Sequence, residues 1–206
     1  MSKQAQPDHP IHDLLARRWS PYAFDGRSVS REDALALFEA ARWAASSYNE
    51  QPWRFIIALS SDKPAFDQVL SCLVEANQQW AQRTGLLALG VISTSFARNG
   101  KPNRVALHDL GLAAANLTLE ATARGLSVHQ MAGIDPDRAR QVFGVPQGFE
   151  VATAIAVGYR TPPEQLSGEL RERETAPRSR KPLREIVFGE EWDRPAPFLD
   201  AALSGR

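Results

Sequence analysis

The sequence predicts one α+β domain, and three observations carry that prediction. Helical and strand-like segments alternate too irregularly for a doubly wound parallel sheet. The chain has 206 residues, 43% of them hydrophobic and 23% charged, which suits one ordinary globular core. After Tyr159 the text turns charged, Pro-rich and thinly apolar, so that segment cannot bury a core of its own. The organisation expected is a loose N-terminus over 1–10, a core over 11–160, and an arm over 161–206 that packs on the core or on a partner subunit.

Taken in order, Ile11 to Trp19 predicts a short helix stopped before Pro21. "VSREDALALFEAARWAA" predicts a strong one, with Ser30 as N-cap and Leu35, Phe38, Ala41 and Arg42 on one face. Apolar, β-branched runs at 55–60 and 86–95 read as strands, with a helix from Asp67 to Arg83 between them. The longest helix spans 104–125, with Leu107, Leu110, Gly111, Ala114, Leu117, Thr118 and Ala121 as its stripe and Gly125 just past its end. So small a stripe suits tight packing within one subunit or a seam between two copies, and the sequence leaves both open. Strands follow at 126–131 and 151–159, separated by a helix opening at Asp135-Pro136. In the arm, Ile186-Val187-Phe188 is a β-type triplet laid on something else.

Composition excludes several functions. Twenty-four basic residues balance twenty-four acidic ones, which argues against a nucleic-acid partner. Cys72 is the only cysteine, so the chain has no internal disulfide and no cysteine zinc site. The first residues lack the apolar run of a signal peptide, and the longest apolar stretch, Leu86 to Ile92, cannot cross a bilayer. A cytoplasmic protein with no membrane partner is expected. His9, His12, His108 and His129 show no metal-ligand spacing, so no metal is expected. No G-x-G-x-x-G or G-x-S-x-G is present, and Val91-Ile92 stand where a Walker loop beginning at Gly85 needs Lys and Ser/Thr.

The stretch "WAASSYNEQPWRF" is unusual between a helix and a strand. Ser46, Ser47, Asn49 and Gln51 supply more amide and hydroxyl groups than a turn requires. Two arginine groups, Arg17-Arg18 with Ser20, and Arg178-Ser179-Arg180, offer guanidinium forks beside a hydroxyl, which is chemistry that suits a phosphate. Together they describe a ligand with a phosphate end and a polar heterocyclic end.

"RRWSPYAF", "EAARWAASSYNEQPWRF", "LGLAAANLTLEATARGLSVHQMAGID", "VATAIAVGY" and "APRSRKPLREIVF" resemble, in order, the motifs of the FMN-dependent nitroreductase family from about residue 11 to 189. The resemblance implies a three-layer sandwich, with a central, mostly antiparallel sheet between helices, and an intertwined homodimer with an exchanged C-terminal arm. It implies FMN at the dimer interface, a hydride taken from NADH or NADPH, and electrons passed to nitroaromatic, quinone or similar small-molecule acceptors. By position, Arg17, Arg18 and Ser20 would meet the FMN phosphate and ribityl chain, and Arg178 and Arg180 would meet the phosphate from the arm. Ala45, Ser46, Ser47, Asn49 and Gln51 would come from the other subunit. Asn77 would bond the pyrimidine edge, and Gln130, Met131, Ala132 and Gly133 would lie along the isoalloxazine. No side chain is expected to act as catalyst, because FMN carries the chemistry and the backbone near Ala132 and Gly133 would face N5. The chain departs from the family pattern where Tyr22 and Trp80 replace basic residues and Ala132 replaces an acidic one. Those departures keep two alternatives open: a specialised branch (reductive dehalogenation, enone reduction or flavin fragmentation), or a non-catalytic FMN-binding or storage protein.

Overall fold

A computed structural model describes residues 3–201. At its centre lies a four-stranded sheet of β1 (Trp53–Leu59), β2 (Leu86–Ser93), β3 (Ser127–Met131) and β4 (Phe149–Gly158). The order is β1-β2-β4-β3 and each neighbouring pair is antiparallel. Every residue of β2 from Leu86 to Ile92 is buried, as an interior strand covered on both faces requires.

Helices cover the two faces and make three layers. On one side α2 (Arg31–Arg42) and α5 (Ala106–Ala123) bring Leu37, Ala41, Leu110, Ala113 and Leu117 onto Leu86, Ala88 and Ile155. On the other, α3 (Lys63–Leu70), α4 (Glu75–Ala81) and α6 (Pro136–Phe143) place Phe66, Val69, Trp80 and Ala139 against Leu87, Leu89 and Ala154. A short helix α1 (Asp13–Arg17) precedes them. Ser30 caps α2 by accepting the Asp33 N–H at 2.9 Å, and Asp135 caps α6 by accepting the Arg138 N–H at 2.9 Å.

Three local readings of the sequence shift. α2 buries Ala34, Leu37 and Ala41, while Leu35 is 57% exposed, because the sheet lies beneath the neighbouring stripe. The single helix read over 67–83 is two: the chain leaves α3 after Leu70, pairs Leu73 with Ile134, and donates the Val74 N–H to Gly133 O before α4 begins. A long-range pairing there overrides local helical propensity. α5 buries Ala106, Asp109 and Ala113 beside Leu110, Ala114, Leu117, Thr118 and Ala121, and leaves Leu107 and Gly111 outside.

The chain forms two compact units that divide between Thr175 and Ala176. In the first, the segment after β4 returns to the start of the chain: Thr161 N–H donates to Ala23 O, and Gln165 Nε2 donates to Phe24 O at 3.0 Å. Helix α7 (Gly168–Thr175) follows and buries Glu174. The second unit carries a Phe188–Pro195 bridge, a Phe188–Trp192 ring contact at 5.1 Å, and the short α8 (Phe198–Ala201).

Candidate functional site

The loop from Ser46 to Gln51 is the most constrained backbone in the first unit. Tyr48, Asn49 and Gln51 have φ of 54°, 55° and 50°. The left-handed region costs a side-chain-bearing residue about 1–2 kcal/mol, less for Asn, and persists only where surrounding contacts impose it. Those contacts are visible. Gln51 N–H donates to Ser46 Oγ at 3.0 Å, and Gln51 Nε2 donates to Asn49 O at 3.1 Å. Ser47 N–H donates to Asp109 Oδ2 at 3.1 Å, and Asp109 is only 2% exposed. Sequence reasoning missed Asp109, although an acid amid the apolar run of α5 was the available signal. Ala45 and Asn49 are exposed, and Ser46, Ser47 and Gln51 half-buried, so the loop presents its polar groups on a fixed frame.

A second cluster forms where β3 ends. Asn77 Nδ2 donates to Gly133 O at 2.9 Å, joining α4 to the segment after the strand. A Cβ on Gly133 would lie 2.6 Å from Asn77 Nδ2 and 2.8 Å from Val74 Cγ2, so this close approach needs glycine. Gln130 turns its amide to Thr118 Oγ1 at 3.1 Å, Met131 is buried at 4% exposure in the core, and Ala132 is exposed. The Met131 carbonyl is also engaged, accepting the Thr153 hydroxyl at 2.8 Å. Trp80 is 2% exposed and packs at 4.5 Å from His129 and 5.3 Å from Tyr22, so the two positions lacking a cation form one aromatic cluster. Within it His129 Nδ1 pairs with Pro21 O at 2.9 Å, and burial holds the imidazole below the usual histidine range.

The third cluster is a cavity of about 260 Å³ bounded by Arg17, Arg18, Trp19, Ser127, Arg160 and Lys3 among others. No carboxylate lines it among the described residues. Arg17 Nε pairs with Asp13 at 2.6 Å, and Arg18 Nη1 donates to the exposed Ser20 Oγ at 3.3 Å. The Trp19 Nε1–H is buried and has no partner among the described residues. The cationic lining fits an anionic ligand. Arg160 and Trp19 were missed in sequence, since a lone Arg after a strand and a Trp before Pro carry no motif. Close by, buried Glu174 accepts the Tyr22 N–H at 2.7 Å and the Ala23 N–H. Its burial pushes the carboxyl above the usual range, against those two bonds and the charges of Lys3 and Arg160.

The structure thus gathers Arg17 and Arg18 at one cavity, Asn77 and Gly133 at one contact, and Ser46 to Gln51 in one loop. Ser47 lines a different cavity from Arg17 and Arg18. Arg178 and Arg180 belong to the second unit; Arg178 is half-buried, and burial with the Arg180 charge lowers its pKa. Among the described residues no His, Cys, Asp and Glu group could hold a metal ion, and no helix is long and apolar enough to cross a membrane.

Comparison with known proteins places these features in context. A family model described as the nitroreductase family matches residues 15–159. The Major NAD(P)H-flavin oxidoreductase of Aliivibrio fischeri is 26% identical over 219 residues, covering 87% of this chain and 98% of that protein. A crystal structure described as an oxidoreductase containing FMN superposes with a TM-score of 0.87 at 33% identity, covering 93% of this chain and 98% of the other. A nitroreductase family protein of Streptococcus pneumoniae TIGR4 shares the fold, with a TM-score of 0.67 at 20% identity over 86% of this chain and 98% of its own.

Proposed function

The chain belongs to the nitroreductase family, and from that premise we propose that it is an FMN-dependent oxidoreductase. It takes electrons from NADH or NADPH and passes them to a nitroaromatic, a quinone or a similar small acceptor. The observation that carries this reading is the cavity lined by Arg17, Arg18, Arg160 and Lys3, with no carboxylate among its described lining residues. Its donors suit the phosphate dianion of FMN.

When bound, FMN supplies the redox chemistry, and the protein orients it and tunes its electronics. Arg17 and Arg18 hold the phosphate and Ser20 the ribityl chain. Arg178 and Arg180 carry the same phosphate-seeking chemistry on the second unit. The Gln130–Gly133 segment would lie along the ring system, with the Ala132–Gly133 peptide toward its reacting nitrogen. Asn77 holds the adjoining Gly133–Ile134 peptide through its bond to Gly133 O. Ala45, Ser46, Ser47, Asn49 and Gln51 serve the cofactor from the partner of a homodimer, their frame fixed before binding by Asp109. A second copy of the chain is supported by the outer face of α5, where Leu107 is 61% and Leu112 37% exposed beside Gly111 and Ala115.

One competing reading is an FMN-binding protein without turnover, because Tyr22 and Trp80 stand where the family pattern has basic residues, leaving Arg173, hydrogen-bonded to the Tyr22 side chain, as the cation at this cluster among the described residues. Steady-state oxidation of NADH and NADPH by the FMN-loaded protein, with a quinone or nitrofuran present, separates the two. Turnover that depends on acceptor supports the oxidoreductase, and its absence with both donors supports the binding protein.

A further inference from the structure

A second cationic cavity, apart from the Arg17–Arg18 site, lies beside the constrained loop. Residues 95–102 form a tight finger: Ser95 pairs with Pro102, Phe96 N–H donates to Lys101 O at 2.9 Å, and Gly100 turns the tip with φ of 68°. The finger docks on the loop because Ala97 N–H donates to Glu50 Oε1 at 2.7 Å. The Arg98 guanidinium lies 4.0 Å from the Tyr48 ring centre, and Phe96 meets that ring edge-on at 6.0 Å. Between finger and loop is a space of about 280 Å³ whose lining includes Ser47, Phe96, Arg98, Lys101 and Arg104, with no carboxylate.

The chemistry of this space is specific. Arg98, Lys101 and Arg104 make no ion pair with a carboxylate among the described residues. Two acids beside the loop are already engaged: Glu50 accepts the Ala97 N–H of the finger, and buried Asp109 accepts the Ser47 N–H. Three cations therefore line one cavity in a chain whose net charge is zero. Tyr48 is 74% exposed with Arg98 already laid on it, a platform for a flat heterocycle. A neutral quinone or nitroarene uses the platform but not the three charges. An adenosine that carries phosphate uses both, and a phosphate monoester of charge about −1.5 to −2 answers a surplus that a pyrophosphate alone leaves unmatched.

We infer that the cavity between the 95–102 finger and the 46–51 loop receives the 2′-phosphorylated adenosine end of NADPH, which makes this chain selective for NADPH over NADH. The inference rests on the proposed oxidoreductase reading, since Ser47 belongs to both this cavity and the loop assigned to the flavin. Arg98, itself backed by the Tyr48 ring, stacks the base, and Lys101 and Arg104 hold the phosphate.

Two measurements on the FMN-loaded protein test it. Calorimetry with adenosine 2′,5′-bisphosphate and with adenosine 5′-phosphate reads the cavity without turnover. The bisphosphate should bind at least tenfold tighter, and Lys101→Ala with Arg104→Ala should abolish that difference. Steady-state kinetics should show a higher kcat/KM for NADPH than for NADH, with the ratio falling at least tenfold in the same double variant, through KM. Equal binding of the two nucleotides, an unaltered NADPH:NADH ratio, or loss of FMN from the double variant would each overturn the inference; the last would give these cations to the flavin phosphate. Absence of turnover with both donors while the bisphosphate still binds selectively would count against the oxidoreductase reading and for the cavity.

Discussion

Ser47 donates its backbone N–H to Asp109 Oδ2 at 3.1 Å, joining the constrained loop to the buried face of α5 across 62 positions of sequence. Asp109→Ala leaves that N–H without its acceptor and opens space beneath the loop. A lost buried partner costs about 1–3 kcal/mol. Urea unfolding should show that loss, and FMN affinity should fall by about tenfold or more as Tyr48, Asn49 and Gln51 leave their positive-φ conformations. Asp109→Asn keeps an acceptor and should lie between the two. If FMN affinity is unmoved in the Ala variant, the frame beneath the loop does not organise the site.

The outer face of α5 gives a second test. Gly111 is exposed and no heavy atom lies within 4 Å of where its Cβ would be, so Gly111→Arg is accommodated in the isolated chain. If Leu107, Gly111 and Leu112 meet a second copy, the variant should become monomeric by light scattering, keep its far-UV spectrum, and lose FMN. A flavin-loaded dimer in the variant would place the seam elsewhere.

Glu174 makes the pH dependence predictable. Its carboxyl is held above the usual range by burial, so the folded chain binds its proton more tightly than the unfolded chain does. Stability from this group is therefore fully present below the unfolded value of about 4.3 and is lost as pH rises through the folded value. Relative to Glu174→Gln, the native chain should lose stability over that window and hold a constant difference above it. Glu174→Ala should cost about 1–3 kcal/mol, because the Tyr22 and Ala23 N–H groups lose their acceptor. Parallel pH profiles for the native chain and the Gln variant would show that Glu174 does not titrate with folding.

Phosphate recognition separates from ring recognition at Arg18. Arg18→Ala should weaken FMN by a charge-assisted bond, about 1.5–3 kcal/mol, and leave riboflavin affinity nearly where it was. Arg171→Ala, an exposed residue of α7, serves as the control and should retain FMN. Equal weakening of FMN and riboflavin by Arg18→Ala would make this arginine a support of the fold.

Much of this was legible in sequence because it is written locally. Ser30 and Asp135 announce helix starts through their own side chains, and the seven apolar residues of β2 announce a covered strand. The break after Leu70 was not legible, since its cause is the pairing of Leu73 with Ile134 far along the chain. The same holds for the facing of α5: Asp109 looks like a surface acid until Ser47 is known to sit above it. The polar loop could be recognised by its surplus of amides and hydroxyls. The positive φ angles at Tyr48 and Gln51 could not, because neither residue type favours them.

The most direct test of the oxidoreductase account is anaerobic titration of the purified, FMN-loaded protein with NADPH and with NADH, followed by addition of a quinone. The account predicts that the yellow flavin absorbance bleaches in proportion to donor added, more readily with NADPH, and returns when the acceptor is mixed in. A bound flavin that keeps its oxidised spectrum through excess of both donors would contradict it.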